Sequence, residues 1–441
     1  MRINKLGMAA SILALPVLFG TAVSANDVEE AVAGDYSYLE SLYKHLHANP
    51  EISFQEKETS ARIANELRSV GYDVTENVGG YGVVGVLKNG DGPTILVRAD
   101  TDGLPVKEQT GLDYASTVTT VDDKGNTVPT MHACGHDVHM TSFVGTARRL
   151  VAMQDKWAGT LVMIAQPAEE RVGGAKAMLE DGLFERFPKP DYNLALHVSA
   201  SMKAGNVGMA SGFALANVDS VDIAVEGIGG HGAYPHTTKD PIALASQIVV
   251  ALQTLVSRET SPLEPAVVTV GSFHAGTKHN IISDGAHLQL TVRSYSDDVR
   301  ANLLSGIKRI AEAQGASFGL PKEKWPKVTY SEGTPATYNN PELASNVASI
   351  LSSALGEGRV EELKPVMGAE DFAYYGRTKD NIPSLIFWLG AASPEDVAAA
   401  KRGEAKLPSL HSPFFKPDRE TTLKTGVTAM TEAVLGLMAK K

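Results

Sequence analysis

From Thr94 the run TILVRAD is apolar before it closes on an arginine and an aspartate, and Gly159 to Gln166 (GTLVMIAQ) repeats that form ahead of PAEE. Short continuous apolar runs of this kind predict buried strands of an α/β sheet. Between them Met140, Phe143, Ala147, Leu150 and Val151 recur at helical spacing, which predicts a helix beginning near His136 or Asp137. A third run, Tyr192 to His197 (YNLALH), is again apolar and stops at a histidine. Open α/β sheets bind ligands at the carboxyl ends of their strands, so the polar residues that end these runs are where chemistry is expected.

Around Asn217 the pattern changes. VDSVDIAVEG alternates like a half-exposed strand, an apolar helix spans Asp240 to Arg258, and strands follow near Ala266 to Phe273 and Ala286 to Tyr295. A helix over Asp297 to Gln314 and a strand near Lys327 to Ser331 complete a β-α-β-β-α-β order, which predicts an inserted ferredoxin-like α+β domain. The α/β pattern resumes through Pro341 to Leu355, Leu385 to Leu389 and a closing helix from about Asp418. The expected division is a catalytic domain split into 26–216 and 334–441, with the insertion at 217–333.

The first 25 residues read differently: Arg2 and Lys5 precede an uncharged apolar run from Leu6 to Phe19, with small residues at Val23 and Ala25. This predicts a secretory signal cut after Ala25, because the run is short of the roughly 20 residues that a membrane span needs. The expected mature product is exported, periplasmic or secreted, with no membrane segment. The remaining composition is that of a globular chain, 43% hydrophobic and 21% charged, with a formal charge of −11 that gives no reason to expect nucleic acid as a partner.

Export changes how the single cysteine is read. Cys134 sits in MHACGHDVH among histidines and has no disulfide partner in the chain. It could be a small buried apolar residue, a reactive thiol or a metal ligand, and a metal bond is the reading that accounts for a lone thiol in an oxidising compartment. Cys134, His136, Glu170, His197 and His411 form one candidate ligand set, all of them good donors for zinc-like ions. Asp100 and Asp102 are candidates to orient a ligating histidine, or merely to cap a loop. In the Glu169-Glu170 pair one carboxylate can bind metal while the other faces water as a base. His231 lies in a glycine-rich turn, GIGGHGAYPH, where backbone can approach a ligand. Asn280 and Arg293 could bind a substrate carboxylate.

RADTDGLP, MHACGHDVH, QPAEE followed by GGAKAM, LALHV, GGHGAYPH, HNIISDGA, MGAEDFAYY and HSPFF occur in that order over essentially the whole mature chain. Together they resemble the M20 metallopeptidase family in its amidohydrolase branch, the hippurate hydrolase-like and auxin-conjugate hydrolase-like proteins. The resemblance implies a zinc-peptidase-like, mixed-sheet catalytic domain with a lid/dimerisation domain. It implies two divalent ions (zinc, manganese, cobalt or nickel) held by Cys134, His136, Glu170, His197 and His411, with Glu169 as the base toward the water between them. It further implies that His231 stabilises the oxyanion, often across a homodimer, and that Asn280 and Arg293 lie near the substrate's carboxylate. The expected reaction cleaves N-acyl or N-aroyl amino acids. A dipeptidase and a non-catalytic exported metal- or solute-binding protein are the alternatives. Arg171-Val172, where members commonly have glycines, IISD in place of VIPD, and Thr101 and Gly103 depart from the family pattern and bear on pocket shape. Glu370 and Asp371 match a motif without an assigned role.

Overall fold

The computed structural model describes residues 25–440; the expected signal segment lies outside them apart from Ala25, which opens the first helix. A mixed eight-stranded sheet runs in the spatial order Asp73–Val78, Gly82–Asn89, Gly159–Gln166, Thr94–Asp100, Tyr192–Lys203, Ser384–Ala392, Val207–Met209, Val360–Glu362. The four middle strands, Gly159–Gln166 through Ser384–Ala392, are mutually parallel. Their alternation sorts side chains to two faces. Ile95, Val97, Leu161 and Met163 enter the core beneath the helices Ala25–Ala48, His136–Ala152 and Arg419–Met438, whereas Leu96, Val162 and Ile164 meet Met178, Phe372 and Tyr375 on the other face. Both faces are covered, which is why these strands are apolar throughout rather than alternating.

The third apolar run does not stop at His197. Its strand continues to Lys203, because Ser384–Ala392 stays paired beside it as far as Ala392. Helices at Ala25–Ala48 and Lys57–Ser69 and the antiparallel strands Asp73–Val78 and Gly82–Asn89 add to the elements read from the apolar runs.

Strands Val218–Glu226, Ala266–Ala275, Gly285–Ser294 and Lys327–Thr334 form a separate antiparallel sheet. Numbered along the chain, their spatial order is 2-3-1-4, the ferredoxin-like arrangement. One face packs Val221, Ile223, Leu288 and Leu290 against helices Pro241–Thr254 and Asp297–Ser317. Asp240 caps the first helix by accepting from the backbone N–H groups of Ile242 and Ala243, and Ser296 caps the second through Val299. Among the described residues one helical stretch, Pro241–Glu259, is long and apolar enough to cross a membrane, with only a third of that stretch buried. Leu244, Ile248 and Leu252 hold it on the sheet, while Ile242 and Val250 face outward.

Candidate active site

The carboxyl ends of the parallel strands deliver the polar residues to one place. Gly135 adopts a left-handed conformation (φ 82°) at the start of helix His136–Ala152, and a Cβ there would lie 2.5 Å from Val198 Cγ2. A glycine is therefore required for the turn that brings Cys134 and His136 together. The loop after Gly159–Gln166 is bracketed by left-handed Ala168 (φ 51°) and Val172 (φ 45°), and His411 is left-handed as well (φ 64°). Three of the six described non-glycine residues with positive φ thus lie on the segments that present Glu169, Glu170 and His411.

The candidate donor atoms converge. Cys134 Sγ lies 3.5 Å from His197 Nε2 and 3.3 Å from His411 Nε2, and Glu170 Oε1 lies 3.5 Å from His411 Nε2 and 3.8 Å from His136 Nε2. His136 Nδ1 donates to the Asp102 carbonyl at 2.8 Å, and His197 Nδ1 to the Val198 carbonyl at 2.8 Å. In the neutral tautomer that these bonds select, each ring turns an Nε2 lone pair toward the cluster. His136 Nε2 and Glu170 Oε1 are buried without a hydrogen-bond partner among the described residues. Glu169 Oε2 stands 3.9 Å from His136 Nε2.

The two aspartates of RADTD act differently from one another. The Asp102 carboxylate accepts from the backbone N–H groups of Glu169 (3.1 Å) and Glu170 (3.0 Å) and from Ser53 Oγ (2.6 Å), so it fixes the glutamate loop. Asp100 bonds His139 Nδ1 at 2.6 Å, and His139 Nε2 accepts from Val198 N at 2.9 Å. Asp100 thereby orients a histidine outside the proposed ligand set, one whose ring packs 4.7 Å from that of His197.

Burial governs the charges. It drives the Glu169 carboxyl well above its ordinary range, with Glu370 and Glu170 adding to the effect, and it lifts Glu170 to about 8. Burial with the nearby Glu170 and Glu169 carboxyls also pushes the Cys134 thiol up. For His136 burial favours the neutral ring, but Asp100 and Asp102 outweigh it and hold the imidazole at about 10. Burial lowers His197 and His411.

Cys134, Glu169, Glu170, His197 and His411 floor a cavity of about 450 Å³ whose roof is the helix-free face of the four-stranded sheet, through Val218, Ser220, Thr291, Arg293 and Glu332. Trp388 and Leu410 separate it from a second hollow of about 620 Å³ lined by Met202, Leu363, Val366 and Leu407. His231 and Asn280 do not line the cavity. They sit side by side on an exposed arm, where Gly232 N donates to the Asn280 carbonyl at 2.9 Å.

Residues 96–435 match the family model described as Peptidase family M20/M25/M40. The chain belongs to that family. A thermostable carboxypeptidase 2 of Saccharolobus solfataricus is 38% identical over 419 residues, covering 93% of this chain and 97% of that protein. The hippurate hydrolase of Campylobacter jejuni is 38% identical over 345 residues, 77% of this chain and 85% of its own length. Among solved structures, the YXEP protein of Bacillus subtilis, described as a dinuclear metal binding peptidase from the M20 family, aligns with a TM-score of 0.73 at 29% identity, covering 92% of this chain and 99% of that one.

The structure of this M20 hydrolase also brings to the site residues that were not among the candidates read from the sequence. Arg98 is charged inside an otherwise apolar strand, a signal present in the sequence, and it bonds Asp100, Gln166, Glu370 and Asp371 while fully buried. Glu56, whose Oε1 accepts from Ala168 N at 2.7 Å, Trp388 and Glu332 carried no such signal.

Proposed function

We propose that this protein is an exported amidohydrolase that holds two divalent ions and cleaves N-acyl or N-aroyl amino acids of the hippurate type, releasing a carboxylic acid and a free amino acid. The observation that carries the reading is the convergence of three imidazole nitrogens, a thiol and a carboxylate beside a second, buried glutamate, beneath a guanidinium that has no acidic partner among the described residues.

The residues fit the ions. Donor separations of 3.3 to 3.8 Å suit ligands placed about 2.0–2.3 Å from a shared cation. Partnerless His136 Nε2 and Glu170 Oε1 are otherwise costly to bury, and the Cys134 thiol needs a cation to become a thiolate at neutral pH. Cys134, His136, Glu170, His197 and His411 would hold the ions. When bound, they supply Lewis acidity, which makes water acidic near neutral pH and stabilises charge on the attacked carbonyl.

Glu169, as a carboxylate beside the ions, takes a proton from the attacking water and delivers it to the leaving nitrogen as the amide C–N bond breaks. Arg293, half-buried and bonded among the described residues to the Met367 carbonyl (2.7 Å) and Thr291 Oγ1 (3.3 Å), is available for the substrate carboxylate. The hollow beyond Trp388 gives an aromatic or aliphatic acyl group an apolar place.

His231 belongs to a second copy's site in this reading. Its Nδ1 accepts from Ala233 N at 3.0 Å, so in the neutral ring Nε2 carries the proton and can donate to an oxyanion. The outward apolar side of helix Pro241–Thr254 and the edge strand Ala266–Ala275 support a homodimer formed through the inserted domains. Export rests on Arg2, Lys5 and the apolar run Leu6 to Phe19. The test is hydrolysis of N-benzoylglycine by metal-reloaded enzyme, compared with dipeptides. Turnover of neither, with both ions bound, would leave a binding protein instead.

A further inference from the structure

Outside the Glu169-Glu170 pair, the cavity wall carries one carboxylate, Glu332, and one guanidinium, Arg293. They are not equally available. Arg293 meets a carbonyl and a hydroxyl but no acid among the described residues. Glu332 is taken: Arg171, the residue after Glu170, places Nε 2.6 Å from Glu332 Oε1. Arg171 also reaches Asp123 Oδ2 at 3.2 Å, on the turn between strands Thr119–Val121 and Thr127–Pro129. One side chain thus ties the glutamate loop to the roof and to that hairpin.

We infer that Arg171 is a specificity-determining residue, which by pairing with Glu332 withdraws the cavity's accessory carboxylate and so selects acylated substrates over those with a free amino terminus. The inference rests on the amidohydrolase reading and names what enforces it. An N-acyl amino acid brings one charge, its carboxylate, and meets the uncommitted Arg293. A dipeptide brings an α-ammonium as well, and a cation that leaves water needs a counter-charge. Glu332 is the wall residue able to supply it, and Arg171 already holds its Oε1.

The test compares kcat/KM for N-benzoylglycine and for phenylalanylglycine in metal-loaded wild type, R171Q, E332Q, the double variant and D123N. R171Q should raise the dipeptide-to-acyl ratio about fivefold, the value of one partly exposed ion pair, mainly by lowering KM for the dipeptide. E332Q, the double variant and D123N should keep the wild-type ratio, which separates a charge effect through Glu332 from a general loosening of the loop. An unchanged ratio in R171Q, a shift that persists in the double variant, or an equal shift in D123N would overturn the inference. R171A replaces R171Q if the latter shows no cooperative melting. A wild type that prefers the dipeptide overturns the amidohydrolase reading too, whereas a wild type that prefers the acyl substrate with an unresponsive R171Q overturns this one alone.

Discussion

Arg98 Nη2 lies 2.7 Å from Glu370 Oε1, and neither side chain reaches solvent. The same guanidinium contacts Asp100 at 2.6 Å and Asp371 at 3.1 Å, so one cation offsets a group of buried acids directly behind Glu169. Removing one partner from a buried ion pair leaves uncompensated charge and costs about 3–5 kcal/mol. Arg98→Met should therefore lower the unfolding free energy by about that amount, read from the denaturant midpoint at neutral pH. A loss under 1 kcal/mol would show that water or protonation already compensates those acids.

Glu169 faces the cluster, its Oε2 3.9 Å from His136 Nε2. Glu169→Gln should bind both ions with unchanged stoichiometry and lose about 10²- to 10⁴-fold in kcat, the usual contribution of a positioned base. Metal content and turnover measured on the same sample check this, and undiminished turnover removes Glu169 from the reaction.

Chelation should abolish hydrolysis and lower the melting temperature, and adding back a divalent ion should restore both. With ion at a hundred times its Kd, the stabilisation from binding is about 2.7 kcal/mol. Activity that survives complete chelation would instead point to Cys134 acting as a nucleophile.

His231 and Asn280 stand clear of the cavity floor in their own chain. Mixing inactive His231→Ala and Glu169→Gln subunits should restore part of the activity, since a hybrid dimer holds one site with both residues intact. Mass measurement of subunit exchange is the control; exchanged but inactive mixtures argue for sites completed within one chain.

His47 provides a pH-dependent contact outside the donor cluster. Burial favours its neutral form, but Asp137 at 2.6 Å and Glu108 at 3.0 Å outweigh this and raise it from 6.5 to about 9. A histidine raised on folding stabilises the protein fully below its unfolded pKa and loses that contribution as pH climbs through the folded one. Stability should thus fall by on the order of 3 kcal/mol between pH 6.5 and 9, and His47→Gln should flatten that slope in unfolding titrations. An equal slope in the variant assigns the effect elsewhere.

Much of the fold was legible because apolar periodicity is local: the strand at Thr94, the helix at His136 and the alternation after Asn217 announce themselves within ten to twenty residues. The end of Tyr192–Lys203 was not, since pairing with Ser384–Ala392 extends it and that partner lies far along the chain. The donor set was legible as residue types at strand ends and loops, and the structure brings all five together. Trp388, Leu410 and Glu332 escaped notice because a cavity wall is assembled from unrelated segments and leaves no pattern in any one of them. His139 shows the opposite problem. It sits in the same motif as Cys134 and His136, and only its bonds to Asp100 and Val198 reveal that both ring nitrogens are occupied.

Cys134 and His411 touch across 277 residues, with the entire inserted domain between them in the chain. During synthesis, which runs from the N-terminus, four of the five donors emerge long before the last. With the proposed ligand set, a nascent chain ending before residue 411 lacks one of the five donors, and the segment that supplies it leads into the final helix, Arg419–Met438, which packs against His136–Ala152. Metal loading through that set would then be a late checkpoint on folding, and a C-terminal truncation should forfeit the ions before it forfeits most of the secondary structure.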